Sequence, residues 1–315
     1  MTITSQAPQP GTTHIGDSAA QRRGLWLGAL GVLIFAMTLP MTRLAVGGID
    51  APQLPPLFVT AGRAAGAGVL SLLWLWLTHA PGPQRHHLVR LLASALGTVV
   101  GFPLFLSLAL REVPAMHAAV VTGILPLATA AMAAVALRQR ASLGFWVCAV
   151  AGCALVLAFA AWEGAGSLSR ADGWLLLAVL SASAGYVAGA SLSATWKAEH
   201  VICWVLVLSM PLTVPVAWLA WPVQPASAAA WGGFAYVTVF SMWLGFFAWY
   251  RGLALGGTLR VSQVQLVQPF LALLLAVPVL GEPLSGRTLA FSLVVMAVVV
   301  VGKRMPVQPV NGKQS

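Results

Sequence analysis

Apolar residues run through this chain in long uninterrupted blocks, without the every-second-residue alternation of a half-buried strand. Breaking the chain at charges, prolines and glycines leaves ten apolar segments: 24–44, 54–77, 88–109, 114–137, 143–161, 171–193, 200–221, 228–251, 259–280 and 287–302. Most approach the ~20 residues that a helix needs to cross a bilayer, and local thinning accommodates the shorter ones. A helix satisfies its backbone groups internally, as lipid requires. The pattern predicts an all-α polytopic membrane protein with ten transmembrane helices. The connections are short, so no soluble domain is inserted.

Composition agrees. The 315 residues are 59% apolar and 8% charged, with a mean hydropathy of +0.88. A soluble domain carries about 25% charged residues. Residues 1–23 read as a disordered, polar cytoplasmic tail rich in Thr, Gln and Pro, and 303–315 as a second cytoplasmic tail. Arg22 and Arg23 look like the start of an export signal, but the apolar stretch after them is too long for one and no A-x-A-like site follows. Cys148, Cys153 and Cys203 lie inside apolar blocks without ligand-like neighbours and read as packing residues.

Charge supplies the orientation. With the N-terminus in the cytoplasm, the inside segments hold Arg22, Arg23, Arg85, Arg90, Arg138, Arg140, Lys197, Arg251, Arg260, Lys303, Arg304 and Lys313. The outside loops hold only Arg43, Arg111, Arg170 and Arg287, and Arg63 falls inside a span. This positive-inside bias predicts ten helices with both termini cytoplasmic, in a bacterial inner membrane. The net charge of +10 is thereby a topology signal and needs no nucleic-acid partner.

The second half echoes the first. "LPLATAAMAAVALRQRASL" (125–143) aligns with "QPFLALLLAVPVLGEPLSG" (268–286), placing Pro126 opposite Pro269 and Ser142 opposite Ser285. "FPLFLSLAL" (102–110) aligns with "FFAWYRGLAL" (246–255), pairing Phe102 with Phe247 and Phe105 with Tyr250. Trp26 matches Trp174 in the first helix of each half. Five helices per half is an odd number, so units 24–161 and 171–302 are inverted repeats. That architecture marks transporters that bind substrate near the midplane between the repeats.

Three stretches carry a family resemblance: "MTLPMTRLAVGGIDAPQLPPLFVTAGRAAGAGVLSLLWL", "LALREVPAMHAAVVTGILPL" and "QPFLALLLAVPVLGEPLSGRTLAFSLVVMAVVVVG". In their order and duplication they resemble the EamA family of the drug/metabolite transporter superfamily, over nearly all of the chain after residue 24. The resemblance implies export of small metabolites, such as amino acids or related compounds, by alternating access. It also implies a structural or gating role for Arg63. One departure is Arg138-Gln139-Arg140, which stands where the family has a glycine-glutamate turn; the second half keeps that turn at Gly281-Glu282.

Polar residues inside spans are the candidate site. Ser262, Gln265 and Pro269 share one helix face, and Thr122 is the repeat counterpart of Gln265. These face either a central cavity or a neighbouring helix. Polar membrane residues tend toward cavities, which favours the cavity for Gln265, while Gln263 and Gln268 read as packing or helix-end residues. Thr38, Thr42, Tyr186, Phe102, Phe105, Trp243, Phe247 and Tyr250 would complete an aromatic cavity with a few hydroxyls. The aromatic residues serve equally well at lipid or interfacial positions. Arg63, Pro126, Pro269 and Glu282 are the gating or structural candidates.

No Asp or Glu falls mid-span, which argues against carboxylate ion relays and leaves His117 as the group through which a proton could couple. There is no Walker A motif, no metal or cofactor signature and no catalytic dyad, so an enzyme is disfavoured. The expected partners are a small-molecule substrate and the lipid bilayer, with the chain a monomer or weak homodimer. A membrane-embedded sensor or accessory subunit is the competing reading.

Overall fold

The computed structural model describes residues 15–136, 140–163, 168–193, 196–256, 264–305 and 307–308. The first span is α1 (Ile15–Ala36) and α2 (Thr38–Val46); the second is α3 (Pro56–Leu77). The third joins α4 (Leu88–Ser94) to α5 (Phe102–Glu112) through a π-helical stretch, Ala95–Gly101. The fourth is α6 (Ala115–Thr122) and α7 (Leu125–Ala136), and the fifth is α8 (Leu143–Glu163). The second half follows with α9 (Arg170–Ser193), α10 (Ala198–Leu219) and an eighth span of α11 (Ala228–Tyr236), a π-helical stretch Val237–Leu244 and α12 (Gly245–Gly256). A 3-10 turn, Gln265–Val267, leads into α13 (Gln268–Leu280), and α14 (Gly286–Arg304) closes the bundle.

Eight of these segments are long and apolar enough to cross a membrane, and Gln265–Leu280 and Gly286–Gly302 are shorter apolar helices. The chain is therefore a multi-pass membrane protein built as two inverted five-helix repeats. Their packing is reciprocal. The first span lies on the eighth, and its counterpart the sixth lies on the third. The second pairs with the seventh, the fourth with the ninth, and the fifth with the tenth.

Small residues allow these approaches. A Cβ added to Gly97 would sit 2.6 Å from the Cα of Gly185, so the third and sixth spans meet backbone to backbone. Large apolar side chains such as Trp76, at 74% exposure, and Leu219, at 84%, cover the outside of the bundle. In water this would be a liability; against lipid it is the expected surface.

One sequence expectation changes. The helix begins at Ile15, inside the segment assigned to the tail. Extending an existing helix avoids the cost of nucleation, so polar residues before a membrane span join it readily. The first-half turn at 138–140 lies partly outside the described residues. At its end, β1 (Arg140–Ala141) pairs antiparallel with β2 (Val307–Gln308).

Candidate functional site

The interrupted spans face a common space. Proline explains most of the interruptions. Pro40 cannot donate to the carbonyl of Ala36, and the first span breaks at Met37, between α1 and α2. There the carbonyl of Ile34 accepts from the Tyr236 hydroxyl at 3.1 Å and from Thr38 Oγ1 at 3.4 Å. Pro103 removes the donor to Val99 inside the π-helical stretch. Pro126 and Pro269 do the same for the carbonyls of Thr122 and Gln265, where the fourth and ninth spans break. Such irregular backbone is tolerated at membrane depth only where it is buried in protein or lines a cavity.

Each of these interruptions contributes to one cavity of about 80 Å³. Thr38 and Leu39 come from the first span, Thr98 from the third, Thr122 and Gly123 from the fourth, Ser241 and Met242 from the eighth, and Gln265 and Gln268 from the ninth. Uninterrupted α3 adds Arg63, and α9 adds Tyr186. Phe35, Phe102, Leu106 and Phe246 form much of the apolar wall. A water needs roughly 10–15 Å³ measured this way, so the cavity has room for several waters or a small ligand.

Its polar groups are unevenly equipped. Arg63 is 2% exposed and donates from Nη2 to Ser241 Oγ at 3.1 Å. Ser241 in turn shares a 2.8 Å hydrogen bond with Thr38 Oγ1. The Nε and Nη1 of Arg63 have no partner among the described residues, and no Asp or Glu lines the cavity. Thr98 and Thr122 each spend their hydroxyl proton on their own helix, on Ser94 O and Ala118 O, both at 2.7 Å. Toward a ligand these two hydroxyls therefore act as acceptors.

Of the residues singled out from sequence, Thr38, Arg63, Phe102, Thr122, Pro126, Tyr186, Gln265 and Pro269 line this cavity. Gln268, expected in packing or at a helix end, lines it too. Ser262 and Gln263 lie outside the described residues. The others sit elsewhere. Thr42 is fully buried but not in the lining. Phe105 stacks on Trp174, with ring centres 5.8 Å apart. Phe247 packs between Trp74 and Trp243, at 5.1 and 5.0 Å, and Tyr250 stands behind Phe246 at 5.6 Å.

The physical reason for the last group is register. One residue rotates a helix position by about 100°. The π-helical stretch before α12 is eight residues long, against seven before α5. The pairing of Phe102 with Phe247 misses: it is Phe246 that reaches the cavity beside Phe102. Ser241, Thr98 and Phe35 were missed because single polar or aromatic residues within apolar runs carry no pattern of their own. A shared offset between the two π-helical stretches is the signal that would have found Ser241 and Thr98.

A second set of polar contacts involves residues outside the cavity lining. Gly281 takes a left-handed conformation, φ 68°, and ends α13. This turns Glu282 back so that its two carboxylate oxygens accept from Ala115 N and Met116 N, at 2.7 and 2.9 Å. An acid at a helix N-terminus satisfies otherwise unpaired donors and complements the helix dipole. Arg43 donates to the Leu110 carbonyl, and Arg111 donates to Val46 O at 3.2 Å. Nearby, His117 Nε2 and Asp172 Oδ1 are 2.7 Å apart. Asp172 is 3% exposed despite its place at a helix start, and it also accepts from Ser169 N and Oγ at 2.8 and 2.7 Å. No group of three or more metal-ligating side chains occurs among the described residues.

Known proteins share this organisation. The model of the EamA-like transporter family matches twice, over residues 22–160 and 169–302. The uncharacterized transporter YdeK of Bacillus subtilis (strain 168) is 42% identical over 285 residues, covering 89% of this chain and 96% of that protein. A protein crystal structure matches with a TM-score of 0.60 at 18% identity, covering 89% of this chain and 98% of its own, which is a likeness of fold. Since the family model spans each repeat and a near full-length relative carries the same transporter description, this chain belongs to the EamA-like transporter family.

Proposed function

We propose that this transporter exports small amphipathic metabolites, amino acids or related compounds among them, by exposing the central cavity alternately to the two faces of the membrane. The observation that carries the reading is that both repeats supply the cavity from their broken spans. Rocking one repeat against the other would open such a site to either side. The tie made by Glu282 joins the repeats, and those made by Arg43 and Arg111 join the first and third spans, all at the same end. They belong to a state closed at that end, and the basic-residue bias puts that end outside, with both termini cytoplasmic in an inner membrane. The amino-acid class rests on the family resemblance, and the cavity chemistry suits it. Arg63 offers donors, while Thr98 and Thr122 offer acceptors, flanked by Phe102 and Phe246.

Purified protein in liposomes, screened for counterflow of radiolabelled amino acids, sugars and nucleosides, tests the proposal. Saturable exchange of an amino acid supports it. Specific binding of a compound without exchange would favour a sensor instead. Periplasmic reporter activity from a C-terminal fusion would overturn the orientation.

A further inference from the structure

Arg63 presents an unresolved charge. Its guanidinium is 98% removed from solvent at membrane depth, yet one nitrogen alone is engaged, and by a neutral hydroxyl. Burying an uncompensated charge costs several kcal/mol, so buried charges are normally paired. The buried His117, by contrast, has the carboxylate of Asp172 at 2.7 Å. Among the described residues no acid pairs with Arg63, and its free Nε and Nη1 belong to the side chain that lines the central cavity.

Resting on the transport reading above, we infer that Arg63 receives the anionic group of the transported molecule, a carboxylate or a similarly compact oxyanion. Nη1 carries two unspent N–H donors and Nη2, which has given one to Ser241, has a second; this end-on edge of the guanidinium suits the two oxygens of a carboxylate better than a single ammonium would. Ser241 has the supporting part. By accepting from Nη2 it holds the plane of the guanidinium while hydrogen-bonding Thr38 on the first span. Loading the anion therefore neutralises the charge at a junction of the first, second and eighth spans, which ties occupancy to the helices that must move. Substrates lacking an anionic group leave that charge buried and bare, and the cavity rejects them on that ground.

The test uses the full chain in detergent at fixed ionic strength. L-leucine, L-phenylalanine and L-threonine are each compared with their C-terminal amides, with acetate and sodium chloride as controls, by the shift in unfolding temperature. The acids should protect and the amides should not. Arg63→Gln should weaken binding of the acids by about tenfold to a hundredfold, and Arg63→Lys should keep the preference for acids with a smaller loss. The wild-type comparison stands even where a variant fails to fold. Acids that protect no better than their amides overturn the inference. Equal protection by chloride and the amino acids also overturns it, because Arg63 then holds a resident inorganic anion. Counterflow in liposomes separates the two levels. Equal transport of amides by wild type and Arg63→Gln removes the anion site and leaves the transporter standing, whereas transport of none of these compounds removes both.

Discussion

Arg63 and His117 are both basic side chains buried in the bundle, at 2% and 8% exposure, and the protein treats them in opposite ways. His117 has a carboxylate at hydrogen-bond distance, and that carboxylate is itself held by Ser169. Arg63 has one hydroxyl and two idle donors in a cavity. A fully satisfied polar cluster rigidifies the structure around it; a partly satisfied one stores unfavourable energy that a ligand can relieve. The difference separates architecture from site more sharply than depth or residue type does.

Removing each acid or base is the most forceful way to break the comparison. Asp172→Ala strips three hydrogen bonds at once and leaves His117 facing nothing. Loss of one member of a buried pair costs about 3–5 kcal/mol, so the variant should unfold far earlier in detergent. Arg63→Met removes an uncompensated charge, and should unfold at the wild-type temperature or above it while losing binding. If thermal unfolding shows both variants equally destabilised, Arg63 is architectural and the contrast disappears.

A smaller effect should follow at Glu282. It caps α6 from the opposite repeat, and caps are worth about 0.5–2 kcal/mol. Glu282→Ala should lower the unfolding temperature modestly. It should also release the closed end, raising reactivity of a cysteine introduced at Ala115 toward a membrane-impermeant maleimide. Unchanged reactivity with lowered stability would make Glu282 a cap without a role in closure.

Much of this was legible in the chain. All ten apolar segments could be placed because membrane helices are written in block length, which survives small boundary errors. Pro126 and Pro269 were legible as breaks because the missing donor is a covalent fact. Which face each aromatic residue takes was not legible, since it depends on local winding. Phe246 lines the cavity, while its neighbour Phe247 packs against Trp74. Asp172 was hidden for another reason. Its position one turn into α9 reads as a solvent-facing end, and only the fold of α6 against α9 brings His117 to it.

The least disruptive change sharpens the contrast within the cavity itself. Gln265 and Gln268 lie three residues apart across a 3-10 turn, which brings i and i+3 to the same side, and both line the cavity. The sequence assigned one to the ligand and the other to packing; their shared lining leads us to expect the same role for both. Each substituted singly by Leu should weaken substrate binding by about 0.5–1.5 kcal/mol, the net value of one hydrogen bond, and neither should move the unfolding temperature. Both effects are small beside that of Arg63, because a neutral amide facing water or ligand leaves no bare charge when it goes. A calorimetric titration of each variant, run beside its melting curve, decides the matter. Should Gln268→Leu bind normally and melt early, Gln268 belongs to the packing of the ninth span after all. The cavity would then read its substrate through Arg63, Gln265 and the two threonine acceptors.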